Sequence, residues 1–358
     1  MVRHVEKRCR NDVENLLVDA DTFRFAVKQG ETYLLRIVNA ALNTGHFFKI
    51  AGHEFTVVAV DACYTKPYKT DVVVISAGQT TDVLVTANQP VGKYYMAARA
   101  YNNMDIGEFD NTTTTAILEY IGAGNSSHPT LPALPAFNDT ATVTRFSRAL
   151  RSLASREHPV DVPQKIDESL IYTVGLGLRP CDSPNNNCSG PDGMMLSASV
   201  NNISFVTPTI SLLQAYYFSV NGVFTPDFPS KPPLRFNYTG TNITESLWVP
   251  HPATKVKVLE YNSTVQLVFQ ATNIFVAENH PMHLHGYNFY VVGEGSGNYN
   301  PVTDPRKFNL LDPPQRNTVI APISGWVAIR FRADNPGMLY YIFLLLSFQS
   351  NPIKFTRI

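Results

Sequence analysis

The chain has 358 residues, 29 Lys plus Arg against 29 Asp plus Glu, and only 16% charged residues. At roughly 150 residues per domain this length predicts two domains, and the balanced charge, with no basic stripe or acidic tail, argues against nucleic acid or an anionic membrane as partner. Its 25 prolines, set among plentiful Val, Leu, Phe and Tyr, exclude long helices and predict an all-β protein.

Residues 1–21 carry charges throughout and no apolar core of the length a secretory leader needs, so no export signal is expected there. From 22 to 121 apolar runs recur as predicted strands: TFRFAV, TYLLRIVNA, HFFKI, EFTVVAV, DVVVISA, TDVLVTA, KYYMAARA and TTAILEY. Turn signals separate them at Lys28-Gln29-Gly30, Ala51-Gly52-His53, Ala77-Gly78-Gln79 and Pro90-Val91-Gly92. Strands spaced by roughly 8–12 residues predict a Greek-key β-sandwich, in which Phe23, Phe25 and Val27 share one buried face.

Residues 122–163 read as an interdomain connection over the surface, Pro- and Asn-rich at first and then a short basic helix over TRFSRALRSLASRE. A second strand series fills 164–337: SLIYTVGLGL, NNISFV, TKVKVLEY, TVQLVFQA, YNFYVVGEG, RNTVIA and WVAIRFRA. The last segment, 338–358, opens with the apolar run MLYYIFLLLSF. A membrane helix needs roughly 20 such residues, so this run is expected to be a buried strand or an exposed aggregation-prone tail.

Asn111, Asn125, Asn138, Asn187, Asn202, Asn237, Asn242 and Asn262 each open an Asn-x-Ser/Thr triplet, an excess that favours a secreted glycoprotein. Cys181 and Cys188 flank a turn-rich stretch able to bring them into disulfide range. Cys63 reads as a small buried hydrophobe, and Cys9 stays ambiguous.

The one dense set of metal-type ligands is His280-Pro281-Met282-His283-Leu284-His285-Gly286, three of the nine histidines. In an extended chain His283 and His285 project to one face and His280 to another, which suits adjacent metal sites better than one. Neutral imidazoles suit copper, zinc or iron, and a solvated loop is the bland alternative. The cupin pattern fits poorly, because the first Glu after His285 is Glu294. His4, His46, His53, His128, His158 and His251 lack ligand-type neighbours and are expected to be structural or solvated. No catalytic triad, phosphate loop or carboxylate pair competes.

HPMHLHGYNFYVVGEGSGNYNPVTDPRKFNLLDPPQRNTV, followed by GWVAIRFRADNPG, resembles the third cupredoxin domain of plant laccases. TYLLRIVNAALN and VDACYTKPYKTDVVVISAGQTTDVLVTA are similar to the second domain, and SVNNISFVTPTISLLQAYYF and GVFTPDFP extend the likeness, which covers residues 20 to 337. The resemblance implies two cupredoxin-like sandwiches and a copper oxidase that takes electrons from small phenols, monolignols among them, and reduces O2 to water in the apoplast. It assigns His280 to a type 1 copper, His283 to type 2 and His285 to one of the type 3 pair.

The departures shape the expectation equally. The family holds four coppers with ten histidines and one cysteine, whereas this sequence has nine histidines in all. The first-domain His-Trp-His and His-x-His motifs are absent, and past Asn335-Pro336-Gly337 the family's His-Cys-His segment is replaced by Met338-Leu339-Tyr340. The expectation is therefore a laccase truncated at its start and altered at its end, with an incomplete copper set and impaired turnover. The alternative is a non-catalytic β-sandwich protein or a residual metal binder at His280, His283 and His285.

Overall fold

The computed structural model describes residues 22–102, 109–124, 128–157, 159–181, 188, 190–343 and 352–356. The first nine strands are β1 (Arg24–Val27), β2 (Thr32–Val38), β3 (Gly45–Ile50), β4 (Phe55–Val60), β5 (Cys63–Thr70), β6 (Val73–Ile75), β7 (Thr80–Thr86), β8 (Lys93–Tyr101) and β9 (Thr113–Tyr120). They make a five-stranded sheet in the order β1-β9-β8-β3-β6 and a four-stranded sheet in the order β2-β7-β4-β5. Period-2 alternation builds the sandwich: Thr81, Val83 and Val85 of β7 are buried while their neighbours are not. Phe47, Phe55, Val57, Leu118 and Tyr120 fill the core. Phe25 packs on that core and Val27 is part of it, while Arg24 and Ala26 face out.

Strand β5 has no counterpart in the sequence reading, because Lys66, Pro67 and Lys69 break its apolar pattern. It is an edge strand whose register with β4 shifts between Val57 and Ala59, and the edge is where a proline costs no ladder bond. The turn from β4 into β5 is Asp61-Ala62, with φ of 46° and 64°. Both residues lie in the left-handed region that a two-residue hairpin turn demands, and aspartate tolerates it better than most.

The helix of the connection is α1 (Thr140–Ala149), starting ahead of the expected TRFSRALRSLASRE and ending within it. The reason is its cap: the Asp139 carboxylate accepts the Thr142 N–H at 2.9 Å. Nor does the connection merely lie over the surface, since Phe146 and Leu150 are buried in the first core.

The second sandwich comprises β10 (Glu168–Arg179), β11 (Met195–Val200), β12 (Ile203–Phe205), α2 (Leu212–Tyr217), β13 (His251–Ala253), β14 (Val256–Val258), β15 (Thr264–Phe275), β16 (His280–Leu284), β17 (Phe289–Ser296), β18 (Gln315–Arg316), β19 (Thr318–Ala321), β20 (Gly325–Arg332), β21 (Met338–Phe343) and β22 (Pro352–Thr356). An eight-stranded sheet runs β13-β12-β11-β10-β15-β20-β17-β18 and a five-stranded sheet β14-β22-β21-β16-β19. β15 is buried along its first nine residues, polar Gln266, Gln270 and Thr272 included, because both its faces are covered. Leu267, Phe269 and Ala271 meet Met282 and Leu284 in the main core, while Val268 packs with Val162 and Trp326 on the other face.

The start of the apolar run at Met338 is a strand, paired with β16 on one side and β22 on the other. Both β21 and β22 thus belong to this sandwich, beyond the expected boundary at 337. His251 sits in edge strand β13. Cys181 and Cys188 form a disulfide with Cα atoms 6.1 Å apart. Cys63 is a free, half-buried thiol that burial pushes up in pKa. Cys9, His4 and His158 lie outside the described residues.

His53 shows why a buried histidine need not be a ligand. Its Nδ1 lies 2.8 Å from the Ala51 carbonyl and its Nε2 2.8 Å from the Tyr120 hydroxyl, so Nδ1–H donates and Nε2 accepts. Burial lowers its pKa below the ordinary 6.5. The unfolded chain therefore takes up this proton first, and the stability contributed by neutral His53 is fully present above the unfolded pKa and lost as pH falls through and below 6.5. His53→Gln is expected to flatten this part of the pH dependence; urea midpoints of parent and variant between about pH 7.5 and about pH 5 measure it.

Candidate metal centre

The histidine motif forms β16, an inner strand of the five-stranded sheet, between β19 and β21. Its alternation places the side chains. Met282 and Leu284 go into the apolar core, His283 is half-buried on the other face, and His285 follows just past the strand end. The rings of His283 and His285 lie 5.0 Å apart, centroid to centroid. Burial, and then its neighbour His283, lower the His285 pKa.

His280 is fully buried, with Nδ1 3.6 Å from Glu278 Oε1. Burial pushes the His280 imidazole down to about 3 and the Glu278 carboxyl up to about 7. The imidazole is therefore neutral at pH 7, the form that offers a lone pair to a metal.

His283 is oriented from across the sheet, by Asn317 and its cross-strand partner Thr318. Its Nδ1 is 2.9 Å from the Asn317 carbonyl oxygen and 2.9 Å from Thr318 Oγ1. The Thr318 hydroxyl donates its proton to Asn317 Oδ1 at 2.9 Å, which leaves both groups around Nδ1 as acceptors. Nδ1 must therefore carry the hydrogen, and Nε2 keeps its lone pair, the arrangement usual in metal-ligating histidines.

Asn317 and Thr318 are in turn held by the first sandwich. The Asp61 carboxylate accepts from Arg316 Nε at 3.0 Å and Nη2 at 3.3 Å, from the N–H of Asn317 at 3.3 Å and of Thr318 at 3.4 Å, and from the N–H of Thr80 at 2.9 Å. Gln79 adds a bond from Nε2 to the Thr318 carbonyl at 2.9 Å. Asp61, Gln79, Arg316 and Thr318 are all buried. No local pattern in the sequence marks them, because the partners are some 255 positions apart.

A cavity of about 420 Å3 opens on the first sandwich, lined among others by Ile37, Phe48, Ile75, His46, Asp110 and Thr112. Burial lowers the pKa of His46, and Asn39 Nδ2 donates to its Nδ1 at 3.2 Å. The wall residue Ala100 precedes Tyr101, which hydrogen-bonds the side chain of Asn279, the residue before His280. The cavity and the buried histidine are thus two residues and one hydrogen bond apart.

Among the described residues no three His, Cys, Asp or Glu side chains converge as a metal site. The free Cys63 lies by Asp61 and Arg316, in the first sandwich. His283 and His285 fit a metal in kind, as a pair of imidazoles, but among the described residues they do not complete a copper centre.

Two sandwiches, one ending a strand in a run of histidines, define a protein of the cupredoxin type. Family profiles described as multicopper oxidase match residues 6–123 and 227–343, the first beginning ahead of Thr22, where the first domain was expected. The chain belongs to the multicopper oxidase family. It is 54% identical over 321 residues to Laccase-12 of Arabidopsis thaliana, covering 89% of this chain and 56% of that protein. To Laccase-3 of Oryza sativa subsp. japonica it is 53% identical over 324 residues, covering 89% and 56%. The chain spans a little over half the length of these curated relatives. In fold it is similar to Fet3p, a multicopper oxidase that functions in iron import (TM-score 0.69, 20% identity, 94% of this chain and 57% of that one). It is likewise similar to a laccase from Botrytis aclada (TM-score 0.66, 22% identity, 94% and 53%).

Replacing Arg316 strands a carboxylate that is only 1% exposed. Arg316→Met is expected to cost about 3–5 kcal/mol, and the double variant with Asp61→Asn less than the sum of the two single changes. Urea denaturation of the three variants measures both statements.

Proposed function

We propose that the chain is the second- and third-domain portion of a laccase-type phenol oxidase. His280 serves a type 1 copper, His283 the type 2 copper and His285 one of the type 3 pair. Bound copper supplies one-electron oxidation of small phenols and four-electron reduction of O2 to water. The observation that carries this reading is the pairing of His283 with His285, the first with its Nε2 lone pair left for a metal, in a chain more than half identical to plant laccases over 89% of its length.

The cavity supports a small aromatic substrate. Its volume of about 420 Å3 lies within the roughly 300–1,000 Å3 usual for small-molecule sites. Its walls combine apolar Ile37, Phe48 and Ile75 with polar His46, Asp110 and Thr112, and its wall residue Ala100 precedes Tyr101, which hydrogen-bonds Asn279, the residue before His280. Secretion and glycosylation are part of the proposal. Asn111, Asn138, Asn237, Asn242 and Asn262 are exposed and Asn202 is half-buried, while Asn125 and Asn187 lie outside the described residues.

The second reading, a non-catalytic sandwich protein, is favoured by the lack of a converging three-ligand set among the described residues. Both readings meet in one experiment on the purified 358-residue chain after incubation with Cu2+. The expected result is weak Cu2+ binding that His283→Ala abolishes, without blue absorption and without O2 uptake in the presence of a phenol. Stoichiometric blue copper with O2 uptake would show the donor set to be complete. Absence of any Cu2+ binding at micromolar metal, in parent and variant alike, would leave the non-catalytic reading.

A further inference from the structure

The hydrogen bonds around His283 run through a single peptide unit into the other sandwich. The amide joining Asn317 to Thr318 is planar, and its two polar atoms point in opposite directions. Its N–H is 3.4 Å from Asp61 Oδ2, and its carbonyl oxygen is 2.9 Å from His283 Nδ1. We propose that this amide is a relay through which Asp61, assisted by Gln79, sets the tautomer and ring orientation of His283, so that a residue of the first sandwich controls which nitrogen the second presents to a metal.

Three features separate such a relay from an ordinary interdomain contact. Asp61 reaches two successive N–H groups, those of Asn317 and Thr318, and Gln79 Nε2 takes the Thr318 carbonyl, so this stretch of backbone is fixed from outside its own sheet. Gln79 is itself pinned, its Oε1 accepting the Ser76 N–H at 2.9 Å. The acceptors facing His283 come from the same two residues, and Thr318 is its cross-strand partner in the β16–β19 register. A carboxylate bonded to an amide N–H also polarises the amide, which makes its carbonyl a stronger acceptor for the imidazole N–H. A shift of the amide plane would withdraw the acceptor that keeps the proton on Nδ1, and Nε2 would then compete for it.

Asp61 and Gln79 are positioning residues, since neither touches the metal position. The importance of the relay for metal binding rests on the reading of His283 as a ligand, but its tautomer can be measured without metal. The full-length, metal-free chain is labelled with 15N, the His283 resonances are assigned with His283→Gln, and long-range 1H–15N correlations distinguish Nδ1–H from Nε2–H. The parent is expected to show His283 in the Nδ1–H form alone. Asp61→Asn and Gln79→Ala should each add an Nε2–H population. Arg148→Ala breaks the Arg148–Glu294 pair, which joins α1 to β17 elsewhere between the sandwiches, and should leave the tautomer unchanged.

The proposal is overturned if Asp61→Asn and Gln79→Ala both keep the parent's tautomer, or if Arg148→Ala shifts it equally. Should Asp61→Asn fail to fold, Gln79→Ala decides alone, because it leaves the ion pair with Arg316 in place. A Zn2+ titration of the same proteins separates this proposal from the functional one. Loss of a supporting partner lowers metal affinity by about 10–100-fold if His283 is a ligand. A tautomer shift with no Zn2+ binding in any variant would uphold the relay and reject His283 as a ligand.

Discussion

Asp61 is the point on which the two sandwiches turn. One carboxylate, 1% exposed, collects five hydrogen bonds: one from Thr80 in its own sandwich and four from Arg316, Asn317 and Thr318 in the other. A buried ion of this size carries a desolvation penalty of several kcal/mol, which only near-complete satisfaction of its lone pairs can offset. The arrangement therefore tolerates little displacement of either sandwich. Contacts nearer the surface, such as Lys66 with Asp312 at 2.7 Å, are solvent-screened and set no comparable geometry.

The clamp has a local origin. Asp61 is the first residue of a two-residue hairpin turn, with φ of 46°, and its carboxylate meets Thr80 of its own sheet as well as Arg316 of the other sandwich. Turn chemistry, a matter of adjacent residues, thereby decides a contact across the whole molecule. The net stability gained from a buried ion pair is small or even negative compared with an apolar pair, so its value lies in specificity: it admits one relative placement of the sandwiches. That placement brings Gln79 onto Thr318 and holds the backbone beside His283.

Much of the fold could be read from the sequence, because period-2 alternation and turn residues are local signals. The strands of the first sandwich fall where those signals put them, apart from β5, whose charges and Pro67 suit only an edge. The basic run TRFSRALRSLASRE points to a helix one turn too late, because the cap that starts α1 is the single residue Asp139 ahead of that run. The histidines of the candidate site are legible because three of them fall between His280 and His285, and their separation onto two faces follows from strand geometry. Asp61, Gln79, Arg316 and Thr318 were not, since each reads as an ordinary turn or strand residue until the sheets are brought together. Glu278 was equally silent, its raised pKa arising only from burial.

The burial of the three histidines bears on what they can do. His280 is sealed inside the sandwich beside Glu278, so any metal it holds must be reached through protein, and a hydrogen bond between Tyr101 and Asn279 links the strand that carries the cavity's Ala100 to the residue before His280. His283 and His285 are only half-buried, and two imidazoles leave most coordination positions of a copper ion to other donors. A pair of rings at an accessible strand end, one of them held through Nδ1 by Asn317 and Thr318, is suited to share a metal with other donors. Rigid support from the first sandwich serves that purpose, because a shared site binds tightly only when each contributor is held in place before the metal arrives.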